Sequence, residues 1–291
     1  MAEVYDVHSM CMAYTIETHG LRKTYGETRV LEGLDLEIEA GEVFALLGPN
    51  GAGKTTTVRI LSTLLAPDRG SARVAGHDVV TEAEAVRGAI SLTAQEAAVD
   101  GLLTGAENLR MMARLRRVKD KRRVEALLEQ FDLSDAAHRR VETYSGGMRR
   151  RLDLAMSLIA RPEVIFLDEP TTGLDPRSRG AVWEAVKALA DGGTTILLTT
   201  QYLEEADRLA DRIAVLADGR IAALGTADEL KARVGRETVE LFFADGESLK
   251  RPVEGAEDVR RLLDDLAERG TPATRIALHK PTLDEVFLAL T

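Results

Sequence analysis

Residues 48–55 of the chain are Gly48-Pro49-Asn50-Gly51-Ala52-Gly53-Lys54-Thr55. They follow an apolar run, Val43 to Leu47, and precede a segment with helical apolar spacing, Val58 to Leu65. The pattern predicts a strand, a glycine-rich loop and a helix. Glycines let successive backbone N–H groups turn toward phosphate oxygens, and the helix N-terminus adds partial positive charge. A chance glycine turn can match the residue pattern alone, but the flanking strand and helix favour a phosphate-binding loop.

The last residues of this loop have the side chains that a bound nucleotide needs. Lys54 can bring a full positive charge to the β- and γ-phosphates, and the Thr55 hydroxyl can bind Mg²⁺. The predicted nucleotide-binding residues at this loop are Gly48, Pro49, Asn50, Gly51, Ala52, Gly53, Lys54, Thr55 and Thr56.

Length and charge limit the function classes. The chain has 291 residues, which predicts one large domain or a main domain with a smaller appendage. No apolar run approaches the ~18 residues of a membrane-spanning helix, and no secretion signal is recognisable, so we expect a soluble chain. The formal net charge of −10 argues against a general affinity for nucleic acid.

Cysteine and histidine usage argues against disulfides and zinc. The single cysteine, Cys11, cannot form an internal disulfide, and the five histidines are scattered without metal-ligand spacing. We expect residues 1–14 to form a mobile tail ahead of the first strand.

Two carboxylates close a second apolar run, Val164 to Leu167. This run is typical of a buried parallel strand, whose carboxyl end faces the ligand in nucleotide-binding sheets. Asp168 can then hold Mg²⁺, and Glu169 is placed to polarise a water molecule for attack on phosphorus. Two solvated charges at a strand end are the alternative.

Three further side chains have open interpretations from position alone. Tyr25 lies ahead of the nucleotide loop, where its ring can stack on adenine or pack on the core. Gln95 follows a short predicted strand and can reach Mg²⁺ or the attacking water, or be a polar loop residue. Gln201 lies just past the predicted strand Thr194 to Thr199, on the ligand side.

Residues from Thr104 to about Ala160 lose the strand pattern and gain helical spacing. Thr104 and Glu107 match a capping box. The basic residues of this segment form either a solvated helix face or a contact with anionic headgroups or an acidic partner. They are Arg114, Arg116, Arg117, Lys119, Lys121, Arg122 and Arg123.

A second anion-binding arrangement follows at the start of a predicted helix. Ser145, Gly146 and Gly147 offer a hydroxyl, free N–H groups and the helix dipole. Without further context the same residues form only an N-cap and a flexible turn.

In their order and spacing, the phosphate loop, Gln95, Ser145-Gly146-Gly147, Asp168-Glu169 and Asp175 resemble an ATP-binding cassette ATPase. The resemblance covers residues 15–235, with a helical subdomain at about 100–160. It implies an α/β phosphate-loop NTPase fold, in which an antiparallel β lobe joins a mixed sheet.

The resemblance also implies roles and partners. Two copies form a head-to-tail dimer, in which Lys54 of one copy and Ser145 and Gly147 of the other bracket one ATP. Tyr25 matches the adenine-stacking aromatic, while Gln95 senses Mg²⁺ and contacts the membrane subunit. Asp175 lies in the dimer-contact loop, and ATP and Mg²⁺ are the implied cofactors.

The chain departs from the cassette pattern at Gln201, where the family usually has a switch histidine. A Gln amide can donate a hydrogen bond to the γ-phosphate, but it cannot relay a proton. We therefore expect slow rather than absent hydrolysis, with Glu169 as the main base. Tyr144 and Met148 replace the usual Leu and Gln beside Ser145, which leaves the anion contacts intact.

Three longer segments resemble the daunorubicin/doxorubicin-resistance type of ATP-binding subunit. They begin at Ser145, at Gln201 and at Pro281, where the sequence reads Pro-Thr-Leu-Asp-Glu-Val-Phe-Leu. This closer resemblance implies a drug-export ATPase on the cytoplasmic face of the membrane, bound to a separately encoded polytopic membrane subunit. The small α/β appendage expected at residues 236–291 would help this pair assemble.

Two other functions remain open at this point. The cargo can be a lipid or polysaccharide instead of a drug. In a different class, cassette proteins act as regulatory or ribosome- or DNA-associated modules. Those proteins usually have two fused cassettes or long coiled-coil insertions, whereas this sequence has one phosphate loop and no long heptad run.

Overall fold

The chain is described here by a computed structural model, which divides into two compact units. The structure describes residues 14–94, 98–120, 122–235, 237–244, 247–269 and 271–290. The first unit runs to Ala222 and the second begins at Ala223. Within the described ranges, no helix is both long enough and apolar enough to cross a membrane.

The first unit contains an antiparallel sheet in the strand order β2-β1-β4-β5. Its strands are β1 Tyr14–Tyr25, β2 Thr28–Glu39, β4 Arg69–Val74 and β5 His77–Asp78. β1 and β2 are longer than the sequence predicts, because their pairing continues until Tyr25 lies opposite Thr28. In β2, Leu34, Leu36 and Ile38 are buried on one face, so the lobe packs that face onto the core.

The central sheet has the strand order β10-β9-β3-β8-β7-β6. Its strands are β3 Val43–Leu47, β6 Ile90–Thr93, β7 Val164–Asp168, β8 Thr195–Thr200, β9 Arg212–Ala217 and β10 Arg220–Gly225. The strands from β9 to β6 pair in parallel, so their carboxyl ends meet at one edge. The register places Leu47 opposite Thr200 and Asp168 opposite Thr199, which brings the phosphate loop close to Asp168.

Helices cover the central sheet and form the segment between β6 and β7. Those of the first unit are α1 Lys54–Leu61, α2 Ala83–Ala89, α3 Gly105–Leu115, α4 Arg123–Gln130, α5 Gly146–Ser157, α6 Pro176–Asp191 and α7 Leu203–Leu209. The predicted capping box of α3 is confirmed: Thr104 Oγ1 accepts the Glu107 N–H at 3.2 Å, and Glu107 Oε2 accepts the Thr104 N–H at 2.9 Å. α2 was not predicted, because seven residues are too few for a clear helical period.

One hydrophobic core joins the antiparallel lobe to the central sheet. Phe44 of β3 and Phe166 of β7 are fully buried in it, together with apolar residues of β1, β2 and α1. Burying one such side chain contributes ~1.5–3 kcal/mol relative to leaving it exposed. The loop after β3 and the carboxylates at the end of β7 are therefore held by rigid strands.

The second unit is a small α/β fold with its own core. Its described elements are α8 Ala227–Val234, β11 Thr238–Phe242, β12 Ser248–Pro252, α9 Ala256–Glu268, β13 Arg275–His279 and α10 Leu283–Leu290. β11 lies between β12 and β13 and pairs antiparallel with both. β12 was not predicted, since its residues are mostly polar and exposed. α8 lies within residues 15–235, the range that resembles the cassette, but it belongs to this unit because it packs on α10.

Candidate nucleotide-binding site

The loop after β3 has a shape that only glycine permits at two positions. The Gly48 N–H donates to the backbone O of Thr200 at 3.3 Å, and a Cβ on Gly48 would lie 2.5 Å from the backbone O of Leu216. Gly53 has a φ of 110°, and a Cβ there would lie 2.9 Å from the backbone O of Val30. No side chain caps the start of α1, so no cap binds the first backbone N–H groups of this helix. Such N–H groups at a helix start can bind an anion.

Lys54 is buried at the start of α1, with 4% of its surface exposed. Its Nζ donates to the backbone O of Gly48 at 2.8 Å and of Pro49 at 3.1 Å, and lies 3.6 Å from Glu169 Oε1. Burial lowers the pKa of Lys54, while the charges of Glu169 and Asp168 raise it. The ammonium is therefore held beside the loop, where a phosphate would give it a stronger, fully charged partner.

Asp168 links the two strands on which the site is built. It is buried at the end of β7, and its Oδ1 accepts from Thr55 Oγ1 at 3.2 Å and from Thr199 Oγ1 at 2.5 Å. A carboxylate beside a threonine hydroxyl fits Mg²⁺, which prefers oxygen ligands. The described residues contain no group of three or more His, Cys, Asp or Glu with metal-binding geometry. Mg²⁺ in phosphate sites needs only one or two carboxylates, because substrate phosphates and water complete the octahedron.

Glu169 has an unusual backbone conformation that aims its carboxylate at Lys54. Its φ is 48°, a value that costs a non-glycine residue roughly 1–3 kcal/mol. Its N–H lies 3.1 Å from both the backbone O and Oγ1 of Thr199, and its Oε2 accepts from Thr172 Oγ1 at 3.1 Å. Backbone and side chain are thus both held, as a general base requires.

These groups surround a cavity of about 270 Å³. Its lining residues are Val30, Asn50, Gly51, Gly53, Lys54, Thr55, Thr56 and Glu169. Tyr25 is not among them: it ends β1 with 45% of its surface exposed. Gln201 is half-buried and directly follows β8, at the same edge of the sheet. Gln95 lies outside the described residues.

Ser145 begins α5 as its N-cap and accepts the Met148 N–H at 3.2 Å. Ser145 and Gly146 are exposed, and Gly146 lines a separate cavity of about 480 Å³ rather than the one beside Lys54. A Cβ on Gly147 would lie 2.6 Å from Ser178 Oγ, so α5 and α6 touch at this point. The two anion-binding segments thus line different cavities of one chain.

Asp175 is exposed and caps the start of α6. Its Oδ1 accepts the N–H groups of Arg177 and Ser178, each at 3.0 Å, and its Oδ2 accepts from Ser178 Oγ at 2.6 Å. The Ser178 side chain and backbone lower the pKa of Asp175. Because the same Ser178 touches Gly147, the Asp175 turn is packed against the start of α5.

Two threonines of the site were not predicted. Thr199 binds Asp168 and the Glu169 N–H, and Thr172 binds the Glu169 side chain. The position of Thr199 at the end of a predicted strand was the available signal, since parallel strands end at one edge. Thr172 gave no signal, because its contact depends on the turn that follows Glu169.

Fold and site together define a class of protein. A phosphate loop after β3, paired carboxylates after β7 and a helical segment that ends in Ser145 and α5 are the parts of an ATP-binding cassette. The chain belongs to the ABC transporter family, whose domain matches residues 31–172. Family members are ATPases, and this chain is an ATP-binding and ATP-hydrolysing subunit.

Individual relatives are similar over almost the whole chain. A daunorubicin resistance ATP-binding protein of Streptomyces coeruleorubidus is 52% identical, with 95% of each chain covered. A daunorubicin/doxorubicin resistance ATP-binding protein of Streptomyces peucetius is 49% identical over 95% of this chain and 92% of its own. Among solved structures, an ATP-binding subunit of an ABC transporter has a TM-score of 0.67 at 30% identity, covering 75% of this chain and 92% of its own.

Proposed function

We propose that this chain powers the export of a hydrophobic, drug-like small molecule through a separately encoded polytopic membrane subunit. The supporting observation is that the similarity to daunorubicin resistance subunits covers 95% of the chain. This similarity therefore includes the second unit, which begins at Ala223, as well as the cassette. The chain would bind the cytoplasmic face of that membrane subunit. Subunits named for Nod factor export are 38% identical over 95% of the chain, so a lipid or polysaccharide cargo is the second candidate.

In the proposed mechanism the ammonium of Lys54 leaves the carbonyls of Gly48 and Pro49 and binds the β- and γ-phosphates of ATP. Thr55 and Asp168, joined by Gln95, would hold Mg²⁺, which neutralises phosphate charge when bound. Glu169 takes the proton of the attacking water, since its carboxylate is fixed beside Lys54. Gln201 contacts the γ-phosphate, and Tyr25 stacks on adenine.

The catalytic unit in this proposal is a head-to-tail dimer. The loop of Lys54 and the segment Ser145-Gly146-Gly147 line different cavities in one chain, so neither cavity alone has both anion-binding segments. A second copy supplies Ser145 and Gly147 to the γ-phosphate, with Asp175 at the contact between copies. Binding of ATP closes the dimer, and hydrolysis opens it.

The test is Mg·ATP hydrolysis by the purified chain, alone and with its membrane subunit in lipid vesicles. We expect hydrolysis to rise with the membrane subunit and to rise again with daunorubicin as the probe. Lys54→Ala should lose nucleotide binding, and Glu169→Gln should bind ATP but lose turnover by ~100-fold or more. Retained turnover in Glu169→Gln would remove the base role, and stimulation by a lipid-linked saccharide but not by daunorubicin would change the cargo.

A further inference from the structure

A contact between Arg179 and Tyr202 joins the start of α6 to the residue that follows Gln201. The guanidinium carbon of Arg179 lies 5.3 Å from the centre of the Tyr202 ring, within the ~6 Å at which a cation is attracted to an aromatic face. Both side chains are half-buried. The Nε of Arg179 is buried and has no hydrogen-bond partner among the described residues. Among these residues, no hydrogen bond from Nε therefore competes with the ring contact.

Each of the two residues is also anchored by its backbone N–H. The Arg179 N–H donates to the backbone O of Asp175 at 2.9 Å, so Arg179 belongs to the first turn of α6, which Asp175 caps. The Tyr202 N–H donates to Thr200 Oγ1 at 2.9 Å. Since Thr200 and Tyr202 flank Gln201, this hydrogen bond closes a turn with Gln201 at its centre. The Arg179–Tyr202 contact thus connects the Asp175 turn with the Gln201 turn.

The other end of the Gln201 turn is held by the phosphate loop. The Gly48 N–H donates to the backbone O of Thr200 at 3.3 Å. Thr200 is therefore tied to the phosphate loop and Tyr202 to α6, and Gln201 lies between these two held neighbours. Neither side chain of the Arg179–Tyr202 contact lines the cavity beside Lys54, so both are positioning residues.

We propose that the Arg179–Tyr202 contact fixes Gln201 at the γ-phosphate of ATP and ties that position to the Asp175 turn. An amide must be aimed correctly to donate its hydrogen bond, and a misplacement of about 1 Å in an active site can cost ~100-fold in rate. A turn held at one end only would let the Gln201 side chain rotate away. The inference rests on the proposed function, in which Gln201 contacts the γ-phosphate and Asp175 lies at the contact between copies.

Substitutions of Tyr202 and Arg179 in the full chain test the contact. Tyr202→Leu removes the aromatic face and should lower the kcat of Mg·ATP hydrolysis by about fivefold, with KM for ATP within about twofold. Tyr202→Phe keeps the face and should retain at least about half of the wild-type kcat. Arg179→Met should match Tyr202→Leu, and the combined variant should lose no more than either alone. Losses that multiply to about 25-fold, or an equal loss in Tyr202→Phe, would overturn the proposal.

A second mutant cycle tests whether the contact acts through Gln201. In a Gln201→Ala background, Tyr202→Leu should leave kcat within about 1.5-fold, because the side chain that the contact positions is then absent. A loss that stays at about fivefold in this background would contradict the positioning role.

The matched control is a second cation–aromatic contact between α6 and α7. The guanidinium carbon of Arg208 lies 5.1 Å from the centre of the Trp183 ring, and Arg208 Nη2 donates to Glu184 Oε1 at 3.4 Å. None of these three residues adjoins Gln201 in sequence. Arg208→Met should therefore lower the unfolding temperature while leaving kcat unchanged. A fall in kcat of about fivefold in Arg208→Met would show that the packing of α6 on α7, rather than the Arg179–Tyr202 contact, controls the rate.

Amide hydrogen exchange of the nucleotide-free chain gives a measurement that needs no turnover. The amides of residues 201–205 should exchange faster in Tyr202→Leu and Arg179→Met than in the wild type and Tyr202→Phe. Equal exchange in all four proteins would overturn the contact, and this measurement decides if Gln201→Ala is inactive. If Tyr202→Leu does not fold, Arg179→Met is judged by the same criteria. A wild-type chain that does not hydrolyse Mg·ATP refutes the proposed function instead, and the exchange rates still test the contact.

Discussion

At the scale of single residues, we propose that Gln201 limits the rate that the site can reach. An amide can hold a γ-phosphate by a hydrogen bond but cannot change charge near neutral pH, whereas a histidine can. In the proposed mechanism Glu169 would therefore act without an ionisable side chain at position 201, which directly follows β8.

Gln201→His should consequently raise turnover, by about tenfold or more, since a positioned acid–base group contributes at least that much. Its pH–rate profile should show a new ionisation near the ~6.5 of an unperturbed histidine. The matched control is Gln201→Asn, which keeps the amide and should not gain this ionisation. Unchanged turnover in the histidine variant would mean that Glu169 suffices.

Asp153 links pH to stability on helix α5. Burial raises the pKa of Asp153 to about 6, although Arg150 and the Ala98 N–H, 3.2 Å from Oδ1, both favour the charged form. The folded chain therefore binds the Asp153 proton more tightly than the unfolded chain does. This group adds stability as pH falls from about 6 toward 4, and it costs stability above about 6.

Asp153→Asn removes this titration and keeps an oxygen for the Ala98 N–H. The free energy of unfolding of the wild type, relative to Asp153→Asn, should rise as pH falls through that window, by about 3 kcal/mol at most. Chemical denaturation at a series of pH values measures the difference. A difference that stays flat, or that rises with pH, contradicts the raised pKa.

How much of the site the sequence could predict depends on how local each contact is. The loop at Gly48 to Thr55 is local, and its residues carry both the turn and the chemistry. Thr199 reaches Asp168 only because β7 and β8 pair in one register, which a single sequence does not state.

At the scale of elements, periodicity predicted the helices and strands with strong apolar patterns and missed two whose patterns are weak. The fold class is confirmed. It could be predicted because buried parallel strands and long helices have strong apolar patterns. α2 and β12 were missed, since one is a short helix and the other a mostly exposed strand whose place is set by pairing with β11. Tertiary pairing, rather than local preference, decides such elements.

The contact between α5 and α6 holds the start of α5, which carries Ser145 in the proposed dimer interface. Gly147→Ala would place a methyl group 2.6 Å from Ser178 Oγ. We expect a loss of about 1–3 kcal/mol of stability, because overpacking forces the helices apart. ATP-dependent dimerisation should weaken as well, since Ser145 moves with α5.

Light scattering with ATP and thermal unfolding without it measure both effects. Gly147→Ala should cost less stability in a Ser178→Gly background than in the wild type, because the Ser178 side chain that meets the methyl group is then absent. Gly146→Ala is less crowded, with its Cβ 3.3 Å from Leu174 Cδ2, and is the matched control for the helix N-terminus. Equal losses in Gly146→Ala and Gly147→Ala would show that the α5–α6 contact is not the constraint.

At the scale of the whole molecule, the proposed dimer divides each ATP site between two chains. One chain gives Lys54, Thr55 and Asp168, and the other gives Ser145 and Gly147. Lys54→Ala and Ser145→Arg should each inactivate both sites of a homodimer, for different reasons. Lys54→Ala removes the positive charge that binds the phosphates, and Ser145→Arg fills the space of the γ-phosphate. The two variants should nevertheless complement each other.

In a mixed dimer, one site combines both defects, while the other pairs an intact Lys54 with an intact Ser145. Equal mixing with random pairing should therefore restore about a quarter of wild-type sites, measured as Mg·ATP hydrolysis per chain. The control is the double variant, Lys54→Ala with Ser145→Arg, mixed with wild type. Every mixed dimer then has one substituted residue in each of its two sites. In that control only the wild-type homodimers stay active, so about a quarter of wild-type activity per chain should remain, whereas chains that each hydrolyse ATP independently would keep about half. Recovery from two inactive variants in the first mixture, together with this lower value in the control, distinguishes a head-to-tail dimer from independent chains, and no recovery would refute the shared site.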